Sequence, residues 1–169
     1  MSLRNFLDDA QESLFRFESL QYYEIEEEKE FFQDYLKTGK IDIVVLKNWH
    51  EFITRKMSQG VIMERIRLVN LPLTDYTKCE IMVYLENIKH GEDIRIITEK
   101  EFNSFDIEQK DFWLTDDKIV IKMNYNLKGE YLGSDLAFDN DIKKYVNYKK
   151  LLINNSVLCK RFCKTKHLK

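Results

Sequence analysis

Apolar side chains recur along this chain with two periods, and the places where the period changes divide it into elements. Leu3, Phe6, Leu7, Ala10, Leu14 and Phe17 stand three or four residues apart, which predicts an amphipathic helix at the start of the chain. An extended piece follows over 19–23, then a second helix over 24–37, with Gly39 just past its end. Leu46, Trp49, Phe52, Ile53 and Met57 keep helical spacing over 45–58, and Gly60 stands where a helix would stop. Beyond Gly60 the period shortens. Residues 61–69, rich in Val and Ile, predict a strand that Leu71-Pro72-Leu73 breaks, and Thr74-Asp75 offers an N-cap. Residues 76–89 carry Ile81, Tyr84, Leu85 and Ile88 on one helical arc ending at His90-Gly91, after which 93–98 resumes strand character. Strand, helix and strand make a parallel crossover unit, expected to be right-handed.

Residues 111–115 and 118–125 read as strands around an Asp116-Asp117 turn, with a further strand over 130–138 after a turn at 126–129. A long helix over 139–162 closes the chain, with Ile142, Tyr145, Val146, Leu152, Val157 and Leu158 toward the core. The expected fold class is α/β (α+β), a single layered domain over 1–169. It has a helical part at 1–59, a sheet core at 60–138 with one βαβ crossover and an antiparallel meander, a C-terminal helix at 139–163 and a flexible tail at 164–169. The mixed sheet is expected to have about five strands.

Composition narrows the classes. A chain of 169 residues with 44% hydrophobic and 13% aromatic residues suits one core and excludes a disordered segment, and five Gly with one Pro exclude collagen-like and linker-like chains. No apolar run approaches the roughly 20 residues of a membrane span, and acidic residues interrupt the first ten positions, so neither a membrane span nor an export signal is predicted. With Cys79, Cys159 and Cys163 as an odd set, the expectation is a cytoplasmic protein with free thiols. The formal charge of -2 conceals segregation: residues 1–38 carry ten acidic and four basic side chains, residues 141–169 one acidic and nine basic.

Candidate chemistry gathers around the crossover. Arg65 and Arg67 alternate with Ile66 and Leu68 and so share a sheet face, as Asp93 and Arg95 do on the next strand. Facing guanidinium and carboxylate groups make either a pocket for an acidic ligand or a structural ion-pair network joining helix to sheet, and the structural network is the favoured expectation. On the intervening helix Tyr76, Glu80 and Asn87 form a stripe away from the core arc, beside the helix N-terminus at Asp75 and the loop 71–75 where α/β sheets tend to bind ligands. Asp111, Asp116 and Asp117 near Trp113, joined by Glu80 or Glu92, have the oxygen donors that hard cations select, but paired Asp is also ordinary turn chemistry, and no metal or other cofactor is assigned. Cys159, Cys163 and His167 recur every four residues, and the outer two would stand about 12 Å apart on a helix, too far for one ion. His50 and His90 have no evident Ser or Cys partner, so no triad is read. Lys143, Lys144, Lys149 and Lys150 are a candidate phosphate-tracking surface, but they spread around their helix without a stacking set and read as a solvated face partly paired with the acidic amino-terminal helices.

Several phrases carry a resemblance. Phe15-Arg16-Phe17-Glu18-Ser19-Leu20 followed by Tyr23 and Glu27, Arg65-Ile66-Arg67-Leu68-Val69 running into Leu71-Pro72-Leu73-Thr74-Asp75-Tyr76, Asn87 before Gly91-Glu92-Asp93-Ile94-Arg95, and Asp111-Phe112-Trp113-Leu114-Thr115-Asp116-Asp117 occur in order over 14–162. The chain thereby resembles an uncharacterised bacterial family of domains of unknown function, associated with genes for helix-turn-helix regulators. The resemblance implies no established activity, and this chain departs from the family in its richness in Lys, Ile and Asn. The succession of elements is also similar to one half of the phospholipase-D-like fold. With Asp116 taken as the Asp of that fold's His-x-Lys-x4-Asp motif, Gln109 and Asp111 stand in place of His and Lys, and neither can do the work of its counterpart.

The expectation is therefore a non-catalytic regulatory or protein-binding domain, working through a protein partner such as a transcriptional regulator, or as a homodimer, with no membrane partner. Two alternatives remain: a phosphodiesterase or hydrolase built on Arg65, Arg67, Asp75, Glu80 and Asp93, and a nucleic-acid-binding accessory protein acting through its C-terminal lysines.

Overall fold

The computed structural model describes residues 3–137 and 139–168. Helix α1 (Leu3–Asp9) leads into strand β1 (Ser13–Glu18), then a 3-10 turn (Glu26–Glu28), α2 (Lys29–Thr38), a second 3-10 turn (Ile43–Leu46) and α3 (Lys47–Ser58). Strand β2 (Ile62–Val69), α4 (Asp75–Lys89), β3 (Asp93–Thr98) and the short α5 (Glu99–Phe102) follow. Strands β4 (Phe112–Thr115), β5 (Ile119–Tyr125) and β6 (Tyr131–Leu136) form the meander, and α6 (Asp139–Asn154), β7 (Val157–Leu158) and α7 (Cys159–Lys166) complete the chain. The strands join in one seven-stranded sheet of order β6-β5-β4-β1-β2-β3-β7. β1, β2 and β3 are parallel neighbours, and the other pairings are antiparallel, so the fold is of the mixed α/β class expected.

Two expected helices are corrected. Leu14 and Phe17 lie not on a helix but on β1, which is hydrogen-bonded to β2 on one side and β4 on the other at the centre of the sheet. Its residues alternate, Leu14, Arg16 and Glu18 on one face and Phe15 and Phe17 on the other, and this strand period outweighs the helical spacing that Leu3 to Ala10 begins. The closing helix is likewise not continuous, because Val157 and Leu158 leave it to pair with Ile96 and Arg95 at the edge of β3, and α7 then runs on to Lys166. With β1 and β7 added, the sheet exceeds the expected five strands and extends outside 60–138 at both ends. Phe138, the expected end of the last meander strand, and Lys169, in the expected tail, lie outside the described residues.

Local signals account for the other boundaries. Gly39 closes α2 in the left-handed conformation at φ 67°, and the Thr74 hydroxyl caps α4 by accepting from the Thr77 amide. The β4–β5 turn places Asp116 and Asp117 at φ 54° and 51°, the paired positive angles of a tight hairpin turn. Asp116 also accepts the backbone amides of Gln11, Glu12 and Ser13, which fixes the entry into β1. Burial works against its ionisation, but these amides hold its carboxyl below the usual range. At Gly129, φ 85°, an added Cβ would stand 2.5 Å from the Tyr22 carbonyl oxygen, so the β5–β6 turn sits directly on the segment leaving β1.

The sheet separates two unlike layers. One face carries a continuous apolar cluster: Phe15, Phe17, Ile66, Leu68, Ile97, Phe112, Leu114 and Val120 pack against Phe102, Tyr145, Tyr148 and Leu152 of α5 and α6. The opposite face is apolar only at its flanks. Leu14, Met63, Ile121 and Met123 meet α1 and α3 through Leu7, Phe52 and Ile53, and Ile94 and Ile96 meet α4 and α7 through Ile81, Tyr84, Cys159 and Phe162. Lys56, 1% exposed, ties α3 to α1 by donating to the Asp8 and Ala10 carbonyls. Cys79, Cys159 and Cys163 are buried free thiols.

Asp116→Ala removes the acceptor shared by three backbone amides. It should lower unfolding free energy by about 1–3 kcal/mol, read by urea denaturation, and hydrogen exchange should accelerate at Gln11, Glu12 and Ser13 more than at the β2 amides.

Candidate functional site

Between those apolar flanks the alternation of β1 and β2 places charge inside the protein. Arg16 pairs in register with Arg65 and Glu18 with Arg67, so four ionisable side chains occupy adjacent positions on one sheet face. They are 4%, 8%, 8% and 0% exposed for Arg16, Glu18, Arg65 and Arg67, and buried charges persist only where they are paired and hydrogen-bonded.

Each guanidinium meets that condition through a different element. Arg16 Nη2 bonds Asp111 at 2.9 Å from the segment before β4. Arg65 Nη1 bonds Glu18 at 2.6 Å and its Nε bonds Glu92 at 2.8 Å from the turn before β3. Arg67 Nη2 bonds Glu80 of α4 at 2.5 Å and its Nη1 reaches the Tyr23 hydroxyl at 3.1 Å. Hydroxyls close the circuit: Tyr23 donates to Asp111 at 2.5 Å, Tyr84 to Glu18 at 2.7 Å, and Ser19 to Asp111 at 2.7 Å. Trp113 lies 5.3 Å from the Arg16 guanidinium, and Tyr23 lies 5.0 Å from that of Arg67. The strongest contacts of this face therefore join β1, β2, β4, α4 and the 19–23 segment.

The network shifts its carboxylates in opposite directions. Burial alone would raise Glu18, but Arg65, Arg16 and Arg67, with the Tyr84 hydroxyl, bring it down to about 2. For Glu80, burial together with the nearby Glu18 and Glu28 outweighs Arg67 and pushes the group up to about 8.

Above the network is a cleft of about 490 Å³. Arg16, Glu18, Arg65, Trp113 and Tyr125 form its floor, and Tyr76, Cys79, Glu80, Val83, Tyr84 and Asn87 of α4 form one wall. The chain from Ile25 to Leu46 crosses the open side and contributes Glu27, Glu28, Phe31, Phe32 and Val45. This strap is thinly packed: α2 has no buried residue. Two buried polar atoms of cleft-lining residues, Arg16 Nη1 and the Tyr76 hydroxyl, have no hydrogen-bond partner.

The expected stripe of Tyr76, Glu80 and Asn87 lines this cleft, and Arg65, Arg67, Glu92, Asp111 and Trp113 belong to its floor or to the network beneath. Asp93 and Arg95 do not. Parallel register sets them beside Glu64 and Ile66 on the other sheet face, where they pair with each other at 3.4 Å, so Arg67 meets Glu80 rather than Asp93. Asp75 is exposed and pairs with Lys78, and none of 71–75 lines the cleft, so the hydrolase constellation is not assembled. Asp111, Asp116 and Asp117 are committed separately, to Arg16, to backbone amides and to Lys149. Among the described residues no group of three His, Cys, Asp or Glu side chains is placed to hold a metal ion. Lys149 pairs with Glu64 and Asp117 and Lys144 with Glu108, rather than with the amino-terminal helices, while Lys143 and Lys150 are exposed.

Sequence reasoning missed Arg16, Glu18, Ser19, Tyr23, Trp49, Tyr84 and Tyr125 as members of the site. The alternation in Phe15-Arg16-Phe17-Glu18 was the available signal, since apolar and charged residues alternate there with the period of a strand.

Fold and site together define a layered α/β domain with a buried guanidinium–carboxylate network beneath a strapped aromatic cleft. The chain belongs to the family described as a domain of unknown function (DUF6879), whose family model matches residues 1–164. No curated protein matches it. No described helix is long and apolar enough to cross a membrane.

Arg67→Ala removes a fully buried guanidinium together with its bonds to Glu80 and Tyr23 and should cost about 3–5 kcal/mol, measured by chemical denaturation. The two shifted carboxylates also give stability a pH dependence. Glu80 holds its proton more tightly folded than unfolded, so its contribution is complete below its ordinary 4.5 and is lost as pH rises through about 8. Glu18 does the reverse, contributing above 4.5 and losing that contribution as pH falls toward 2. Denaturation across this range should show stability falling from mildly acidic to alkaline pH, and Glu80→Gln should flatten the fall while leaving the acid limb in place.

Proposed function

We propose that this domain is a non-catalytic binding module, in which the cleft takes a small ligand and the 25–46 strap transmits its presence to a protein partner. The observation that carries the reading is the cleft itself, walled by aromatic rings over a hydrogen-bonded charged floor and covered by a segment, 25–46, without a buried residue. The floor is suited to holding rather than transforming, because its carboxylates and guanidiniums are already bonded to one another. The outer side of the strap bears Ile43 and Val44, exposed by 56% and 71%. A ligand that orders the strap would change the surface a partner meets, which is the physical basis of a regulatory role. A transcriptional regulator as that partner is what the family resemblance implies.

Trp49 and Trp113, the two tryptophans of the chain, both line the cleft and report its occupancy. Incubation with a bacterial metabolite extract, followed by native mass spectrometry, should retain a compound that shifts tryptophan emission and slows hydrogen exchange over 25–46. Val83→Trp, which fills the cleft, should abolish both effects without loss of helical circular dichroism. Retention of nothing by the wild-type chain, or equal retention by the filled variant, would overturn the reading.

A further inference from the structure

The charges around the cleft do not balance, and the imbalance specifies a ligand. Arg16, Arg65 and Arg67 stand against Glu18, Glu80, Glu92 and Asp111, one carboxyl group in excess, and Glu80 accordingly holds its proton up to about 8. The strap then brings Glu27 and Glu28 to the same cleft, and neither makes an ion pair among the described residues, whereas the neighbouring Lys29 is taken by Glu24 and Glu26. An anion entering here would find one free guanidinium N–H, Arg16 Nη1, among guanidiniums otherwise bonded to carboxylates, and would face a wall of further carboxylates.

A second feature is independent of this acidic excess. Tyr76 is 8% exposed and lines the cleft, and its hydroxyl has no partner. It stands one helical turn before Glu80 and close enough to Glu80 and Glu28 to feel both charges. A hydroxyl oxygen left unmatched in the interior is costly unless a donor fills the place. The rings of Phe31 and Phe32 line the strap side of the cleft, and no described cation lies over either, in contrast to Tyr23, Tyr84 and Trp113, which are already covered by arginines.

We propose that the ligand carries a compact cation, an amine or guanidinium, on an apolar body, with Glu28, Glu80 and the Tyr76 hydroxyl receiving the cation and Phe31 and Phe32 flanking it. The proposal rests on the binding reading above and names the chemistry of the ligand. Burial, with Glu18 and other carboxylates nearby, raises both Glu28 and Glu80, so an arriving cation relieves repulsion and displaces the proton that Glu80 holds up to about 8.

The full chain can be titrated at neutral pH with phenethylamine, phenethyl alcohol and phenylpropionate, three probes of similar shape and different charge, with tryptophan emission as readout. Phenethylamine should bind at least about tenfold more tightly than the alcohol. Calorimetry in buffers of different ionisation enthalpy should show proton release for the amine alone. Glu28→Gln, a change on the exposed strap, should remove most of the preference even if Glu80→Gln proves poorly folded. Competition by a lysine-containing peptide would show that a polypeptide can present the same cation, and its absence would assign the cation to a free amine; either result supports the proposal. Equal binding of amine and alcohol, or preference for the carboxylate, overturns the cation but leaves the cleft reading intact. If none of the probes binds while the wild-type chain, and not Val83→Trp, still retains a compound from the extract, the cation is again overturned and the binding reading stands.

Discussion

Burying three guanidiniums on one face of a sheet is the constraint around which the rest of this protein is arranged. A buried cation without a counter-charge costs several kcal/mol, so Arg16, Arg65 and Arg67 each require an acceptor from an element that is not their own strand. Glu80 of α4, Glu92 before β3 and Asp111 before β4 meet that requirement, while the Tyr23 hydroxyl accepts from Arg67 and the Tyr84 hydroxyl donates to Glu18. The position of α4 over β2, the return of the 19–23 segment over the sheet and the entry into β4 all follow from where these acceptors must stand.

The two faces of the sheet divide the work. The side covered by α5 and α6 is a continuous apolar layer that supplies non-directional burial. The other side gives up apolar packing at its centre for directional contacts, and α1, α3, α4 and α7 restore packing at its flanks. A polar centre between apolar flanks cannot be covered by an ordinary amphipathic helix without burying more charge. The strap that crosses it has no buried residue of α2, and a cleft remains beneath it. The cleft is thus a consequence of how the core is built, and its acidic excess is what remains after the arginines have been matched.

Much of this was legible in the residues. The crossover from β2 through α4 to β3, the Thr74 cap, the Asp116-Asp117 turn and the meander were set out by local signals that act within a few residues. The stripe Tyr76, Glu80 and Asn87 followed from helical period alone, and Arg65 and Arg67 from strand alternation. Other features depended on partners distant in the chain. Phe15-Arg16-Phe17-Glu18 alternates as a strand does, but Leu3, Phe6, Leu7 and Ala10 before it have helical spacing, and pairing with β2 and β4 decides where the change occurs. Val157 and Leu158 fit the helical pattern of α6 and leave it to satisfy the edge of β3. Asp93 was expected opposite Arg67, but the register of β2 against β3 puts it on the other face.

By itself the sequence determined the class of fold and many of the element boundaries, because those follow from hydrophobic period and from capping and turn chemistry within short stretches. Only the tertiary structure decided which charges meet. A one-residue change of register turns a side chain to the opposite face of a sheet, and no local pattern records it. The pairing of Arg67 with Glu80, the role of Asp111 beneath Arg16 and Tyr23, and the placing of Glu28 and Glu80 on one cleft arise only when segments distant in sequence are brought together.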